Sequence, residues 1–368
     1  MDLHANFSQT YSQARQKFIA AATHAGCSVL AYVHPIAKGA DGEELAMDIA
    51  SFIPEGARQV VFVTSAMHGA EGFCGSGCQV TMLHDAALIE RFTKAKVGFV
   101  FLHAVNPYGF SHLHRTNEDN IDLNRNFVDY TQPLQVNEGY EEVHSFAVPN
   151  EWPPTPQIRA LVEGFIAKNG MAKLQEYVTI GQNKHKDGLF YSGTSPAWSN
   201  QTLREILRIH IAPYQAAAWI DIHTGLGPSG HGEKICAGRD APEELARARL
   251  CWGADVVSPY NGESASAAIR GPAGTAMPTE CPNTIGTVMA LEFGTVPVLE
   301  VLQSLRADQW LRNAKDQGQN VDVAKAAAIK QSLKDTFYTN TDTWHGAVTS
   351  QARVAVLQAL LSLEKGWG

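Results

Sequence analysis

Two histidines and one glutamate have the residue types and the positions of a metal site. His68 and Glu71 are three residues apart in His68-Gly-Ala-Glu71, and His223 lies far downstream in Asp221-Ile-His-Thr-Gly225. A catalytic zinc ion takes about three protein ligands, drawn from imidazole nitrogens and carboxylate oxygens, and keeps one position for water. The glycine-containing turn allows the first two side chains to point to one centre. We therefore predict that His68, Glu71 and His223 bind one Zn²⁺ ion.

A carboxylate for proton transfer is present as well. Glu292, in Leu291-Glu-Phe-Gly-Thr295, stands at the end of an apolar run. A charge in such a place is costly unless it is paired or used. A carboxylate beside activated water can accept its proton and pass it to a leaving group. Glu292 is thus the predicted catalytic base.

The segment from Asn120 to Phe127 carries further chemistry. Arg125 can hold a substrate carboxylate through two parallel hydrogen bonds, with Asn124 as an amide donor. Asp122 can accept the free N–H of a metal-bound imidazole and fix its tautomer. Arg115 is a second cation nearby, suited to stabilising an oxyanion as a catalytic residue.

Four apolar runs are the elements that must position these side chains. They are predicted as strands at Gln59–Ser65, Val97–Ala104, Ala216–Ile222 and Val288–Glu292. Helical patterns alternate with them, which predicts an α/β fold with a mixed, largely parallel central sheet and helices on both faces. Ligands of such sheets bind outside the carboxyl ends of the strands. His68, Asn106, His223 and Glu292 all follow or end a predicted strand.

The rest of the chain is interpreted as one α/β metallohydrolase domain over residues 1–368. Its core spans about 58–310, with an insertion at about 128–219 and a helical C-terminal segment at about 311–368. The sequence predicts a loop at His68–Gly77, a helix at about Gly77–Arg91, a loop or insertion over 128–160 and a strand at Glu176–Gly181. Residues Gln182–Ser192 are interpreted as a loop, with His185 and Tyr191 as candidates for the pocket lining.

Composition limits the partners. The formal net charge is -8 and the Lys residues are scattered, which argues against nucleic acid or an anionic membrane as partner. The sequence has no run of about 18 apolar residues and its N-terminus does not look like a signal peptide. Its six dispersed cysteines are expected to be reduced thiols, which together predicts a cytoplasmic protein. Association into a homo-oligomer is left open.

Taken together, the motifs resemble one family. The order H-x-x-E, D-x-N-R-N, a distant strand His and a strand-end Glu is similar to the zinc carboxypeptidases of the carboxypeptidase A type. It also resembles their aspartoacylase and succinylglutamate desuccinylase relatives. The match covers roughly residues 58 to 300 and also includes the Asn-Pro-x-Gly turn at 106–109. Gly69 and the segment 71–77 look closer to bacterial members than to digestive carboxypeptidases.

The resemblance implies roles for individual residues. It implies that His68, Glu71 and His223 bind zinc, that Asp122 supports a zinc-bound His, and that Glu292 is the general base. It further implies that Asn124 and Arg125 hold the terminal carboxylate of the substrate. The family also uses a mobile Tyr shortly before the catalytic Glu. Tyr260 is the only Tyr between His223 and Glu292, so it is the candidate for substrate binding.

The expected activity is zinc-dependent hydrolysis of an amide bond next to a free carboxylate. The substrate is expected to be a small peptide, as for a metallocarboxypeptidase, or an N-acyl amino acid, as for an aspartoacylase-like deacylase. A metal-containing binding module without turnover is the alternative from another class, and the intact Glu292 speaks against it. A closed, structural metal site would need a fourth ligand, for example Cys74 or Cys236.

Overall fold

A single seven-stranded sheet forms the centre of the molecule, for which this computed structural model describes residues 3–367. The strands are β1 (Ser28–Lys38), β2 (Glu44–Phe52), β3 (Gln59–Ser65), β4 (Val97–His103), β5 (Ala216–Ser229), β6 (Gly232–Cys236) and β7 (Ile285–Gly294). Their order is β1-β2-β4-β3-β5-β7-β6. The four central strands are parallel, and β1, β2 and β6 pair antiparallel at the two edges. The predicted mixed, largely parallel sheet is therefore confirmed.

Helices connect the strands and cover both faces of the sheet. Within residues 3–367 they are α1 (Tyr11–His24), α2 (Gly72–Leu83), α3 (Ala86–Ala95), α4 (Pro107–His112), α5 (Glu138–Ala147), α6 (Pro156–Asn169), α7 (Met171–Thr179), α8 (Trp198–Ile206), α9 (Pro242–Trp252), α10 (Ala276–Glu280), α11 (Val298–Asp316), α12 (Val323–Phe337) and α13 (Asp342–Glu364). None of these helices has an apolar stretch long enough to cross a bilayer.

The position of β3 in the sheet explains why its middle, residues 60–63, is apolar on both faces. Successive side chains of a strand point to opposite faces of the sheet. Val61 and Val63 therefore belong to a core shared with α1, α2 and α13, whereas Val60 and Phe62 belong to a core shared with α8. A strand with a core on each side has no polar face, as expected for the centre of a parallel sheet.

Two glycines bring the loop after β3 close to its neighbours. A Cβ on Gly69 would stand 1.9 Å from the backbone carbonyl carbon of Gly109, so the two segments can touch only without that side chain. The amide of Gly69 donates to Arg115 O, and that of Ala70 donates to His114 O. Gly75 in α2 is equally constrained, because its Cβ would stand 2.6 Å from Ser65 Cβ.

Three local predictions were wrong. The glycine-rich segment predicted as a loop at His68–Gly77 is mostly the start of α2, because its glycines allow close helix packing rather than a turn. The helix predicted at Gly77–Arg91 is in fact two, since Asp85 caps α3 by accepting from Leu88 N. The strand predicted at Glu176–Gly181 is largely the end of α7. Within the stretch 128–160, interpreted as loop or insertion, residues Glu138–Ala147 form α5.

The strand β4 ends in a histidine whose protonation should destabilise the fold. His103 is fully buried, and its Nε2 pairs with Ser76 Oγ at 3.0 Å. Its Nδ1 has no hydrogen-bond partner within residues 3–367. Burial, reinforced by the charge of Arg15, lowers the pKa of His103 from 6.5 to about 3. The folded protein therefore binds fewer protons than the unfolded chain below pH 6.5.

We predict that the contribution of His103 to stability is complete above pH 6.5 and declines as the pH falls towards 3. The loss is about 1.4 kcal/mol per pH unit, or about 2 kcal/mol between pH 6.5 and 5. Urea unfolding at pH 6.5 and at pH 5 should show this loss of unfolding free energy in the wild type and not in His103→Gln. His24→Gln, which removes an exposed histidine, should behave like the wild type. An equal loss of unfolding free energy in the wild type and in His103→Gln would contradict the role given to His103.

Candidate metal centre and cavity

The carboxyl ends of three parallel strands bring the predicted residues together. His68 follows β3, while His223 and Glu292 lie on β5 and β7. β5 is the neighbour of both other strands, and His223 is paired directly with Glu292 in the ladder. The sheet thus places all three residues at one edge, as expected from their positions after apolar runs.

One carboxylate lies between two imidazoles. Glu71 Oε1 is 2.8 Å from His68 Nδ1, and Glu71 Oε2 is 3.1 Å from His223 Nδ1. The three side chains offer ligand atoms within 4.8 Å of one another, and each residue is only 2–3% exposed. No cysteine belongs to this group in the described part of the chain. The Nδ1 atoms of both histidines therefore face the position that a cation would take.

The opposite nitrogen of each imidazole meets a carboxylate. His68 Nε2 lies 3.3 Å from Asp122 Oδ1, and His223 Nε2 lies 2.8 Å from Asp221 Oδ2. Such carboxylates fix the tautomer of a metal ligand and raise its basicity. Asp122 stands where its predicted role requires. Asp221 was missed, although alternate residues of a strand share a face and Asp-x-His on β5 could have indicated it.

The electrostatics of this group suit a cation. Burial would raise the pKa of Glu71, but His68 and His223 lower it below its ordinary range. Burial would lower the pKa of His223, but Asp221 and Glu71 raise it well above 6.5. The set of two imidazole nitrogens and one carboxylate oxygen, oriented by further carboxylates, fits a zinc ion.

Arg115 is bound to the ligand group rather than extended into solvent. Its Nε donates to Asp122 Oδ2 at 2.9 Å, and its Nη1 donates to Glu71 Oε1 at 3.1 Å. Its Nη2 lies 2.8 Å from His68 Nε2. Burial alone would lower the pKa of Arg115, but Asp122 and Glu71 raise it. The guanidinium is therefore a fixed positive charge beside the candidate metal ligands.

Arg125 and Asn124 line the same cavity. Arg125 is 4% exposed, and its Nε donates to Thr179 O at 2.7 Å. Burial, with the repulsion of Arg115, lowers its pKa to about 10 although Asp122 opposes the shift. Asn124 Oδ1 accepts from Ala273 N at 2.9 Å, which leaves its amide nitrogen for a ligand. The carboxylate paired with Arg125, Asp122, stands 3.9 Å from its Nη1, so this buried cation is a suitable partner for an anion that can approach more closely.

Phe190 supports both arginines. The guanidinium carbons of Arg115 and Arg125 lie 4.9 and 5.2 Å from the centre of its ring. The ring also lines the cavity, whereas His185 and Tyr191 do not. The loop Gln182–Ser192 does contribute to the cavity wall, as its sequence indicated, but through Phe190 and not through His185 or Tyr191.

Glu292 and Tyr260 complete the predicted set. Glu292 is 8% exposed, and its Oε1 accepts from Leu226 N at 3.0 Å. Burial and the charge of Glu71 raise the pKa of Glu292 to about 7. Tyr260 is half-buried at the cavity wall, where its hydroxyl donates to Gly238 O at 3.3 Å. Both side chains therefore reach the cavity that contains the metal ligands.

Two helices form an apolar roof over this cavity. Met171, Leu174 and Val178 of α7 line it, as do Val298, Leu299, Val301, Leu302 and Leu305 of α11. Leu174, Val178, Val301 and Leu305 also belong to one hydrophobic cluster, so both helices contribute to the same apolar core beside the site. The misassigned strand at Glu176–Gly181 is thus part of the roof.

We predict that Asp221→Asn weakens zinc binding by about 10- to 100-fold, the usual effect of losing a carboxylate behind a metal-bound His. Competition with a chromogenic chelator would measure the change. Glu118→Gln is the matched control, because it also removes a carboxylate that contacts an imidazole, that of His34 on β1. Equal zinc affinity for Asp221→Asn and the wild type would refute the role given to Asp221.

Comparison with solved structures confirms the predicted fold. Thrombin activatable fibrinolysis inhibitor superposes with a TM-score of 0.50 at 12% identity, over 98% of this chain and 75% of that chain. Carboxypeptidase A from Helicoverpa armigera gives 0.42 at 15% identity, over 94% and 74%. A succinylglutamate desuccinylase from Silicibacter sp. TM1040 gives 0.38 at 14% identity, over 80% and 70%. The TM-score of 0.50 shows that this chain shares its fold with thrombin activatable fibrinolysis inhibitor, and the fold class expected from the sequence is thus confirmed.

Sequence comparison identifies the family. A search of curated proteins gives no match. Residues 7–351 match the model of the family described as "Protein of unknown function (DUF2817)". Because this match includes the metal-ligand group, the cavity and nearly all of the sheet, the chain belongs to the DUF2817 family.

Proposed function

We propose that this protein is a zinc-dependent hydrolase that cleaves an amide bond next to a free carboxylate. The observation that carries the proposal is the convergence of His68, Glu71 and His223 with Glu292 and Arg125 in one buried cavity. His68, Glu71 and His223 would hold one zinc ion. When bound, the ion would polarise a substrate carbonyl and lower the pKa of a water molecule.

Glu292 would move the proton. Its pKa of about 7 allows the carboxylate to accept a proton from the attacking water and to return it near neutral pH. Leu226 N–H holds Oε1, so Oε2 would carry the proton to the leaving nitrogen. A metal-containing binding module without turnover has no use for a buried carboxylate in this position, which favours the enzyme.

Arg125 and Asn124 would bind the substrate carboxylate. Arg125 Nη2 and Asn124 Nδ2 have no hydrogen-bond partner in the described part of the chain, and both residues line the cavity. Carboxylates accept strong, charge-assisted hydrogen bonds from a guanidinium. The amide bond to be cleaved would lie between this carboxylate and the group bound near Glu292.

Arg115 would stabilise the oxyanion. With a metal on Nδ1 of His68, Nε2 must carry the ring hydrogen and donate it to Asp122. Arg115 Nη2 then loses its acceptor at 2.8 Å, while Nε and Nη1 stay bound to Asp122 and Glu71. One N–H of a firmly held cation thus becomes free to donate to negative charge on the substrate carbonyl oxygen.

The roof formed by α7 and α11 supports a small substrate. The metal ligands are almost completely buried, and the side chains with which α7 and α11 line the cavity are mostly apolar, with Gln175 and Thr179 as the polar members. An N-acyl amino acid with an apolar acyl group fits beneath such a roof, whereas a polypeptide would need an open groove. We therefore favour an N-acyl amino acid deacylase over a carboxypeptidase that acts on long peptides.

Hydrolysis of a substrate panel tests this choice. We expect kcat/KM for N-acyl amino acids with apolar acyl groups to exceed that for the same residue at the end of a long peptide by about tenfold or more, a difference of about 1.4 kcal/mol. Release of the free amino acid would be measured for both substrates. Equal or faster hydrolysis of the peptides would contradict the choice and favour a carboxypeptidase.

Glu292→Gln should lower kcat by about 10²- to 10⁴-fold, the usual contribution of a general base. Zinc content should stay at the wild-type level, because Glu292 is not among the candidate ligands. Single-turnover assays with metal analysis of the same sample separate the two effects. Full activity of this variant with zinc bound would remove Glu292 from the mechanism.

Arg125→Met should raise KM for N-acyl amino acids by about 10- to 100-fold, since a hydrogen bond to a charged group contributes about 1.5–3 kcal/mol. The variant should also lose the preference of the wild type for a free carboxylate over the corresponding carboxamide. Arg125→Lys keeps the charge and should be intermediate. If Arg125→Met preserved that preference, Arg125 would not be the group that recognises the carboxylate.

A further inference from the structure

A second group of metal-binding side chains lies away from the candidate metal centre. His144 stands in the last turn of α5, and His185 and Asp187 lie on the loop between α7 and Phe190. One ligand atom from each of these three residues lies within 4.8 Å of the others. None of the three lines the central cavity.

The two imidazoles already face each other. The ring centres of His144 and His185 are 3.7 Å apart, and the ring planes are inclined by 23°. His185 Nε2 lies 3.0 Å from Glu141 Oε1. A carboxylate on one ring nitrogen leaves the other, Nδ1, as the ligand atom, which is the arrangement seen for His223 with Asp221.

The Nδ1 atom of the half-buried His144 lacks the partner that a buried polar atom normally has. Its Nδ1 is buried, and no hydrogen bond to it exists within residues 3–367. Buried polar atoms in native proteins nearly always have a partner, so such an atom requires an explanation.

We propose that His144, His185 and Asp187 form a second metal site that binds a divalent transition-metal ion of the zinc type. Two imidazoles with one carboxylate favour zinc over magnesium or calcium, which prefer ligand sets made of oxygen. Three protein ligands at the surface leave a position for water, so exchangeable rather than permanent binding is expected.

The site would connect α5 to the loop that supports both arginines. The side chain of Gln182 accepts from the amides of Lys184 and His185 and orders the start of this loop. Asn120 Nδ2 donates to Lys186 O and Gly188 O, which ties the same loop to the Asp122 segment. An ion held by His185 would therefore fix the loop that leads to Phe190, beneath Arg115 and Arg125.

Metal counting on untagged protein tests the second site independently of catalysis. After exchange against a zinc-buffered solution, the wild type should hold about one more equivalent than His185→Gln, as measured by mass spectrometry of the metals. His223→Gln should also lose about one equivalent, and the double variant about two. His24→Gln, with an exposed histidine removed from α1, should match the wild type.

Thermal unfolding gives a second readout. Added zinc should raise the Tm of His223→Gln, whose remaining site is the one on α5, and this rise should disappear when His185→Gln is added. His185 is on a half-exposed loop, so its replacement by Gln should leave the fold intact. Equal zinc content in the wild type and His185→Gln, or an unchanged zinc-induced rise in Tm, would overturn the proposal. If the wild type hydrolysed no amide substrate while zinc content and Tm behaved as expected, the result would count against the catalytic proposal alone.

Discussion

The rest of the site depends on one interaction, in which two buried imidazoles share one buried carboxylate. Glu71 lies between His68 and His223, and further carboxylates, Asp122 and Asp221, stand behind the two rings. Taking so many charges out of water is costly unless each has a partner. The surrounding structure supplies these partners, with Arg115 bound to Glu71 and Asp122. A cation between the imidazoles would complete the compensation.

The parallel sheet makes this arrangement possible. β5 carries both Asp221 and His223, and its neighbours β3 and β7 bring the loop of His68 and the side chain of Glu292 to the same edge. Phe190 contacts both arginines, and α7 and α11 line the cavity with mostly apolar side chains. The low exposure of His68, Glu71 and His223 strengthens the electrostatic interactions among them.

The sequence predicted the parts of the site that depend on local pattern. Apolar runs indicated β3, β4, β5 and β7, and position at the strand ends indicated that His68, His223 and Glu292 meet. The structure brings these three side chains together at one cavity.

Other features depend on contacts that no local pattern records. Leu174 of α7 and Val301 of α11 come from distant segments and belong to one hydrophobic cluster, which the local pattern around Glu176 does not record. A role for Asp221 was not predicted, because its carboxylate contacts Nε2 of His223 and this contact depends on the orientation of the imidazole ring. The three contacts of Arg115 are likewise set by tertiary packing.

Anomalous diffraction at the zinc edge, on crystals of the protein purified without added chelator, tests the central claim most directly. The account predicts a peak between His68, Glu71 and His223, at about 2.0–2.2 Å from the Nδ1 atoms of both histidines and from a carboxylate oxygen of Glu71, with no fourth protein ligand. A crystal grown with excess zinc that shows no metal there would contradict it. Coordination through Nε2, or a cysteine as a fourth ligand, would do so equally.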